Sequence, residues 1–319
     1  MQFKKWMATL LMVIIIAGST GLIAAQDAPT IRVGSKNFEE NILLGNLIMV
    51  MLEENGYTTE DFTNLGTTLT VRRALLNNQI DVYPEYTSTG FTILSSSVPG
   101  FVADPAITQD SYEAYSTISS TDAAFFDVTW LRSAPASNSY AIALRRDFAE
   151  ENGLVTISDF ADYVNNGGEV FLVSSEEFAG RSDGLPGIQE TYGFELSGNQ
   201  ILVITGAPST TTEQGVRDGV NGINSGMAFA TDGTIDEYGL VLLEDNLNAI
   251  PLFQPTPTFR GEVIRAYPDI VMLLNPVFES LTADVLRGLN AEIQVNGRPP
   301  REVAEEYLTE SGFIGDSGE

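Results

Sequence analysis

The sequence predicts an α/β protein built as two lobes. Short β-like runs alternate with helix-like runs along nearly the whole chain, which is the pattern of helices covering largely parallel sheets. More than ten such runs occur, more than one sheet usually holds, yet no low-complexity linker and no fixed-period repeat divides them. The chain has 319 residues, 43% of them hydrophobic, so it is long and apolar enough to fill the cores of two lobes. Two lobes joined by crossing strands hold this number of elements. Ligands in such folds bind at the carboxyl ends of the strands.

The elements follow in order. Lys4 and Lys5 precede an apolar run from Trp6 to Ala17, and small residues end at Ala24 and Ala25. This reads as an export signal over residues 1–25, with an uncleaved anchor as the other reading. No later stretch reaches the ~18 apolar residues of a spanning helix. "TIRVGS" reads as a strand. "NFEENILLGNLIMVMLEENG" reads as a helix, with Phe38, Ile42, Gly45, Met49 and Leu52 on one face. Asn37 is the expected N-cap, Glu40 completes a capping box, and Gly56 stops the helix. "TVRRALLNNQ" is helical and "IDVYP" is a strand end, where Pro84 is expected to stop the ladder and set a turn. "FFDVTWLR" and "SYAIALRRD" are β-rich. "ISDFADYVNNGG" is helical, with Ser158 as cap. Strands "EVFLVS", "QILVIT", "GMAFATDG" and "GLVLLED" then alternate with helices "GLPGIQETYGF" and "TTEQGVRDGVNGIN", and the tail from Tyr267 is mostly helical. The expected crossings lie at "NSYAIAL" near Ser139 and at "TDGTIDEYGLVLL" near Asp236.

Charge and composition exclude several functions. The formal charge of −27 leaves no basic stripe for nucleic acid and disfavours anionic lipid. The chain contains no Cys and no His, which removes thiolate and imidazole catalysis and Cys/His zinc sites. No acidic calcium loop is visible, and no metal or cofactor is expected.

Two segments carry polar chemistry. "VGSKNFEEN" places Lys36 and Asn41 at a helix N-terminus, which is an anion site or, more plainly, a capped helix beside a solvated lysine. "DVYPEYTSTG" holds Tyr83 and Tyr86 beside Thr87, Ser88 and Thr89, whose hydroxyls donate either to an anion or to local caps.

At "IRVGSKNFEENILLGNLIMVMLEENGY", "LLNNQIDVYPEYTSTG" and "AFATDG" the chain resembles the substrate-binding proteins of osmoprotectant ABC transporters, the glycine betaine, choline and carnitine binding family. The resemblance implies a hinge-closing periplasmic binding protein fold of type II. Each lobe is then a mostly parallel sheet flanked by helices, and two hinge strands join them. Residues 30–137 with 243–319 form one lobe, and 138–242 the other. In that family a quaternary ammonium, which cannot donate a hydrogen bond, is held by aromatic faces at ~0.5–2 kcal/mol per ring. By resemblance Tyr86 and Tyr140 are cage walls, with Asn138 beside the second. Thr89 and Arg181 hold the ligand carboxylate, and Lys36 and Asn41 match polar positions of the motif. Phe229 stands where the family has a tyrosine. Thr256 stands opposite an expected ring, with Phe253 and Phe259 as the rings able to replace it.

The resemblance implies a monomeric, exported protein that captures a quaternary ammonium osmoprotectant and delivers it to a membrane permease. A second reading keeps the fold and binds an amino acid or other zwitterion. An enzyme on this fold would have only Asp, Glu or Lys to work with, and no carboxylate pair stands out on the loops, so no activity is expected.

Overall fold

Ten strands form two five-stranded sheets in the computed structural model, which describes residues 30–102 and 104–315. The export signal read over residues 1–25 lies outside the described residues. The strands are β1 (Thr30–Lys36), β2 (Thr58–Gly66), β3 (Val82–Tyr86), β4 (Val128–Trp130), β5 (Tyr140–Arg145), β6 (Leu172–Ser175), β7 (Ile201–Ile204), β8 (Ser225–Phe229), β9 (Leu240–Leu242) and β10 (Pro255–Arg260). The first sheet has the order β2-β1-β3-β10-β4, the second β7-β6-β8-β5-β9. The two orders are the same topology. In each, a parallel trio is followed by a strand arriving from the other sheet.

That arrival explains a departure from the expected parallel sheets. β1 pairs parallel with β2 and β3, and β6 with β7 and β8. β10 and β5 enter from the opposite sheet and run antiparallel to both of their neighbours. Half of the pairings in each sheet are therefore antiparallel. The chain passes between sheets twice, over residues 131–139 and 243–254. The second passage is later than the sequence suggested, because residues near Asp236 form a short helix, Thr234–Glu237, and lead into β9 of the second sheet. The two passages bond to each other through Asn138 N to Phe253 O, 2.9 Å, and Phe253 N to Ser137 Oγ, 2.8 Å.

The helix Glu39–Glu54 is the central element of the first lobe. Twelve of its sixteen residues are buried, because β1, β2 and the helix Pro300–Glu310 surround it. Its start differs from the sequence expectation. Phe38, not Asn37, is the N-cap, in extended conformation and with no side-chain cap bond. Glu40 does not close a capping box; its carboxylate turns into the protein interior. Gly56, at φ +85, follows the helix end as expected. In the second lobe the helix Ile157–Asn165 is capped by Thr156, one turn of a capping box with Asp159, rather than by Ser158.

Pro84 does not end its strand. It sits in the middle of β3, opposite Pro257 of β10. The Pro84 carbonyl points away from β10, accepting from Asn41 Nδ2, and the Pro257 carbonyl accepts from Leu131 N on the far side. The two prolines therefore form a non-hydrogen-bonded pair, the one antiparallel position where neither missing N–H is needed. β2 was not legible in the sequence. Its residues, TTEDFTNLG, are largely polar because it is an edge strand exposed on its outer side.

Among the described residues, no helix is long and apolar enough to cross a membrane.

Candidate functional site

β1, β3, β5 and β8 deliver side chains from both sheets to one place. Because side chains alternate along a strand, β3 points Tyr83 and Glu85 to one face and Tyr86 to the other. Tyr83 is fully buried in the core beneath the first sheet, with Phe91 and Trp130, and donates to Glu85 Oε2, 3.1 Å. Tyr86 turns toward the cleft between the sheets. There it meets Phe38, just past β1, at a ring separation of 6.0 Å. Phe38 stacks on Phe229 at 6.3 Å, and Phe229 on Tyr140 at 5.1 Å. Phe253, from the second passage between sheets, stands edge-on to Tyr140 at 5.8 Å.

These five rings line a cavity of about 60 Å³ together with Lys36, Thr68, Thr89, Asn138, Glu177 and Arg181. A larger cleft of about 400 Å³ adjoins it and shares Lys36, Phe38, Thr68, Asn138, Tyr140, Glu177 and Phe229. Both lie between the sheets, at the ends where β1, β3, β6 and β8 finish. That is the carboxyl edge at which α/β folds hold ligands.

Both cations of the site have internal partners. Lys36 is buried, pairs with Glu85 at 2.5 Å, and lies 5.0 Å from the Tyr86 ring centroid. Burial pulls its pKa below the ordinary lysine value, and Glu85 works against that. Arg181 donates from Nε and Nη2 to Asp183, at 2.7 and 2.5 Å, and its guanidinium lies 6.0 Å from the Tyr140 ring. Burial disfavours its charge, but Asp183, Tyr140 and Glu177 hold its pKa above the usual arginine value. Burial also raises the Tyr86 and Tyr140 hydroxyls, so both rings are neutral phenols.

The sequence-derived residues divide by position. Lys36, Tyr86, Thr89, Tyr140, Arg181 and Phe229 line the small cavity. Asn41 lies behind it: Oδ1 accepts from Lys36 N at 2.6 Å and Nδ2 donates to Pro84 O at 3.0 Å, so it ties β1 to β3. Thr256 is fully buried in β10 opposite Glu85, its hydroxyl donating to Gln254 O at 3.2 Å, and it lines neither cavity. Phe259 is also buried in the core, opposite Val82. Thr87 and Ser88 donate to Leu252 O, at 2.7 and 2.6 Å, and pin the helix Thr87–Ser97 to the second passage.

Sequence reasoning assigned no site role to Phe38, Thr68 or Glu177. Phe38 fitted the helical period and read as part of one helix face. In fact it precedes the helix, and its extended backbone swings the ring into the cleft. Glu40 was also missed as a site neighbour. It receives Tyr86 Oη at 2.9 Å and Asn138 Nδ2 at 2.6 Å on one oxygen, and Thr231 Oγ1 at 2.6 Å and Asn290 Nδ2 at 2.8 Å on the other.

A cleft between two α/β units, walled by rings and edged by charged groups, is the site of a solute-binding protein. Residues 29–310 match the model of the substrate-binding domain of ABC-type glycine betaine transport systems, and this chain belongs to that family. It is 36% identical over 302 residues to the Escherichia coli glycine betaine-binding protein YehZ, covering 93% of this chain and 97% of that protein. It is 28% identical to a glycine-betaine-binding protein of Pseudomonas aeruginosa, over 93% of each chain. The solved structure of ligand-free YehZ superposes with a TM-score of 0.71, covering 90% of this chain and all of that one. The lactococcal OpuAC structure with glycine betaine shares the fold at a TM-score of 0.58 and 12% identity, covering 89% of this chain and 96% of that one.

Proposed function

We propose that this chain captures a small quaternary ammonium osmoprotectant, glycine betaine or a close analogue, outside the cytoplasm and delivers it to an ABC permease. The observation that carries the reading is the convergence of Phe38, Tyr86, Tyr140, Phe229 and Phe253 on one cavity. A trimethylammonium group offers no donor and no acceptor, so the faces of several rings are what recognises it. Arg181 and Thr89, which line the same cavity, suit a ligand carboxylate. The two passages between sheets serve as the hinge, with residues 30–137 and 243–319 moving as one lobe against 138–242. Closure then presents the trapped ligand to the permease. The relatives named above are binding proteins, and the chain is read as a carrier rather than an enzyme.

The amino-acid alternative rested on a missing ring at Thr256. Phe253 supplies a ring at the cavity, which removes the reason for preferring that alternative.

Titration calorimetry with glycine betaine, choline, carnitine and proline betaine tests the reading. Saturable heat with at least one of them is expected, together with a rise in melting temperature. Absence of both heat and thermal shift with all four rejects it.

A further inference from the structure

Glu40 is 3% exposed, and its two oxygens accept four hydrogen bonds. Two donors to each oxygen is the arrangement of an ionised carboxylate, which accepts and does not donate. All four donors are uncharged: a phenol, two amides and a hydroxyl. The cations nearest the cavity are already used, Lys36 by Glu85 and Arg181 by Asp183. A buried carboxylate with hydrogen bonds but no counter-charge is costly, and burial pushes its pKa up.

Its position gives that cost a purpose. Tyr86, whose ring faces the small cavity, donates its hydroxyl to Glu40, and Glu40 itself lines the adjoining cleft. A phenol hydrogen-bonded to a carboxylate gains electron density on its ring, which strengthens the attraction of the ring face for a cation. The four donors also come from four separate places: the end of β3, the first passage between sheets, the loop after β8 and the helix Ala283–Gln294. Thr231 belongs to the loop after a strand of the second sheet, so its buried bond to Glu40 ties that loop to the first lobe.

We infer that Glu40 is the buried counter-charge of the cation site, a positioning and selectivity residue that acts through Tyr86 and lacks a compensating positive charge until the ligand nitrogen arrives. This rests on the quaternary ammonium reading of the cavity. It adds a separate claim, that selection for positive charge, as opposed to shape, comes from a carboxylate behind the ring wall.

The test separates charge from shape. Glycine betaine and choline are titrated against wild type, Glu40→Gln and Tyr86→Phe. Their carbon isosteres, tert-butylacetate and neohexyl alcohol, are read by competition. In each isostere a carbon replaces the charged nitrogen. Glu40→Gln is expected to weaken the ammonium ligand by about tenfold or more, the scale of a unit charge acting across a partly buried site, while the isosteres bind no more weakly than to wild type. Tyr86→Phe keeps the ring but frees it from Glu40, and it should shift the same ratio in the same direction. This second variant carries the test should Glu40→Gln fail to fold. Equal losses for ammonium ligand and isostere, or no loss, overturn the inference while leaving the cage reading intact. A wild-type chain that binds neither ammonium ligand overturns both.

Discussion

The Phe253 ring closes one side of the aromatic cavity, edge-on to Tyr140 at 5.8 Å. Removing it with Phe253→Ala should weaken a quaternary ammonium ligand several-fold to roughly thirtyfold, the value of one ring at ~0.5–2 kcal/mol, as measured by calorimetry. A ring introduced by Thr256→Tyr should bring no gain. That position is fully buried and packed against β3, so the larger side chain should cost ~1–3 kcal/mol in denaturant unfolding. Arg181→Ala should cost glycine betaine more than choline, since only the former carries a carboxylate; equal losses in the two titrations would remove Arg181 from that role. Six of the eight sequence-derived positions meet at the cavity; Lys36, Tyr86 and Phe229 end strands, Tyr140 begins one, and Thr89 and Arg181 sit in or beside helices that follow strands, so the motifs that mark these strand–loop boundaries made them legible. Asn41 and Thr256 matched motif positions too, but a motif reports neighbours in the chain and not which face of a strand or helix a side chain leaves from. Phe253 lies in a passage with no regular period, so no pattern distinguished it from Phe259.

The loop after β8 is the element that joins the site to the C-terminal helices. Gly233 lies so close to the helix Ala283–Gln294 that a Cβ there would stand 2.2 Å from Ala291 N and 2.4 Å from Ala291 Cα. Backbone of this kind cannot step aside cheaply. Gly233→Ala should therefore lower stability by ~1–3 kcal/mol in denaturant titration, and weaken ligand binding because Thr231 moves with the loop. The same loop packs on a buried acid pair. Glu213 accepts from Thr234 Oγ1, and burial together with the nearby charge of Asp232 pushes its pKa up to about 10 from an ordinary 4.5. Its folded form thus keeps a proton that the unfolded form loses. The stability it confers is fully present below about pH 4.5 and is lost progressively as pH rises toward about 10. Glu213→Gln should melt higher than wild type at pH 8 and nearly the same at pH 4.5, with thermal unfolding at both as the check. Alternation of strand and helix was legible at this scale, and hydrophobic runs marked the buried strands. Polar β2 and the capping of the helix Glu39–Glu54 were not, because an edge strand needs no apolar face and because Glu40 serves the interior rather than the helix end.

At the scale of the whole molecule, two sheets of the same topology meet across a cleft, and the two passages between them bond to each other. The two-lobed fold was legible from the number of alternating elements. The antiparallel half of each sheet was not, because it arises from strands that cross from the opposite lobe, a relation that no local pattern encodes. On the function proposed above, the cavity between the lobes holds a quaternary ammonium group against the five rings. The most direct measurement is a crystal structure of the chain grown with glycine betaine. The ligand nitrogen is expected within ~6 Å of several of the ring centroids of Phe38, Tyr86, Tyr140, Phe229 and Phe253, with the carboxylate toward Arg181 and Thr89. Glycine betaine lying elsewhere in the larger cleft, with its nitrogen away from the rings, would contradict it.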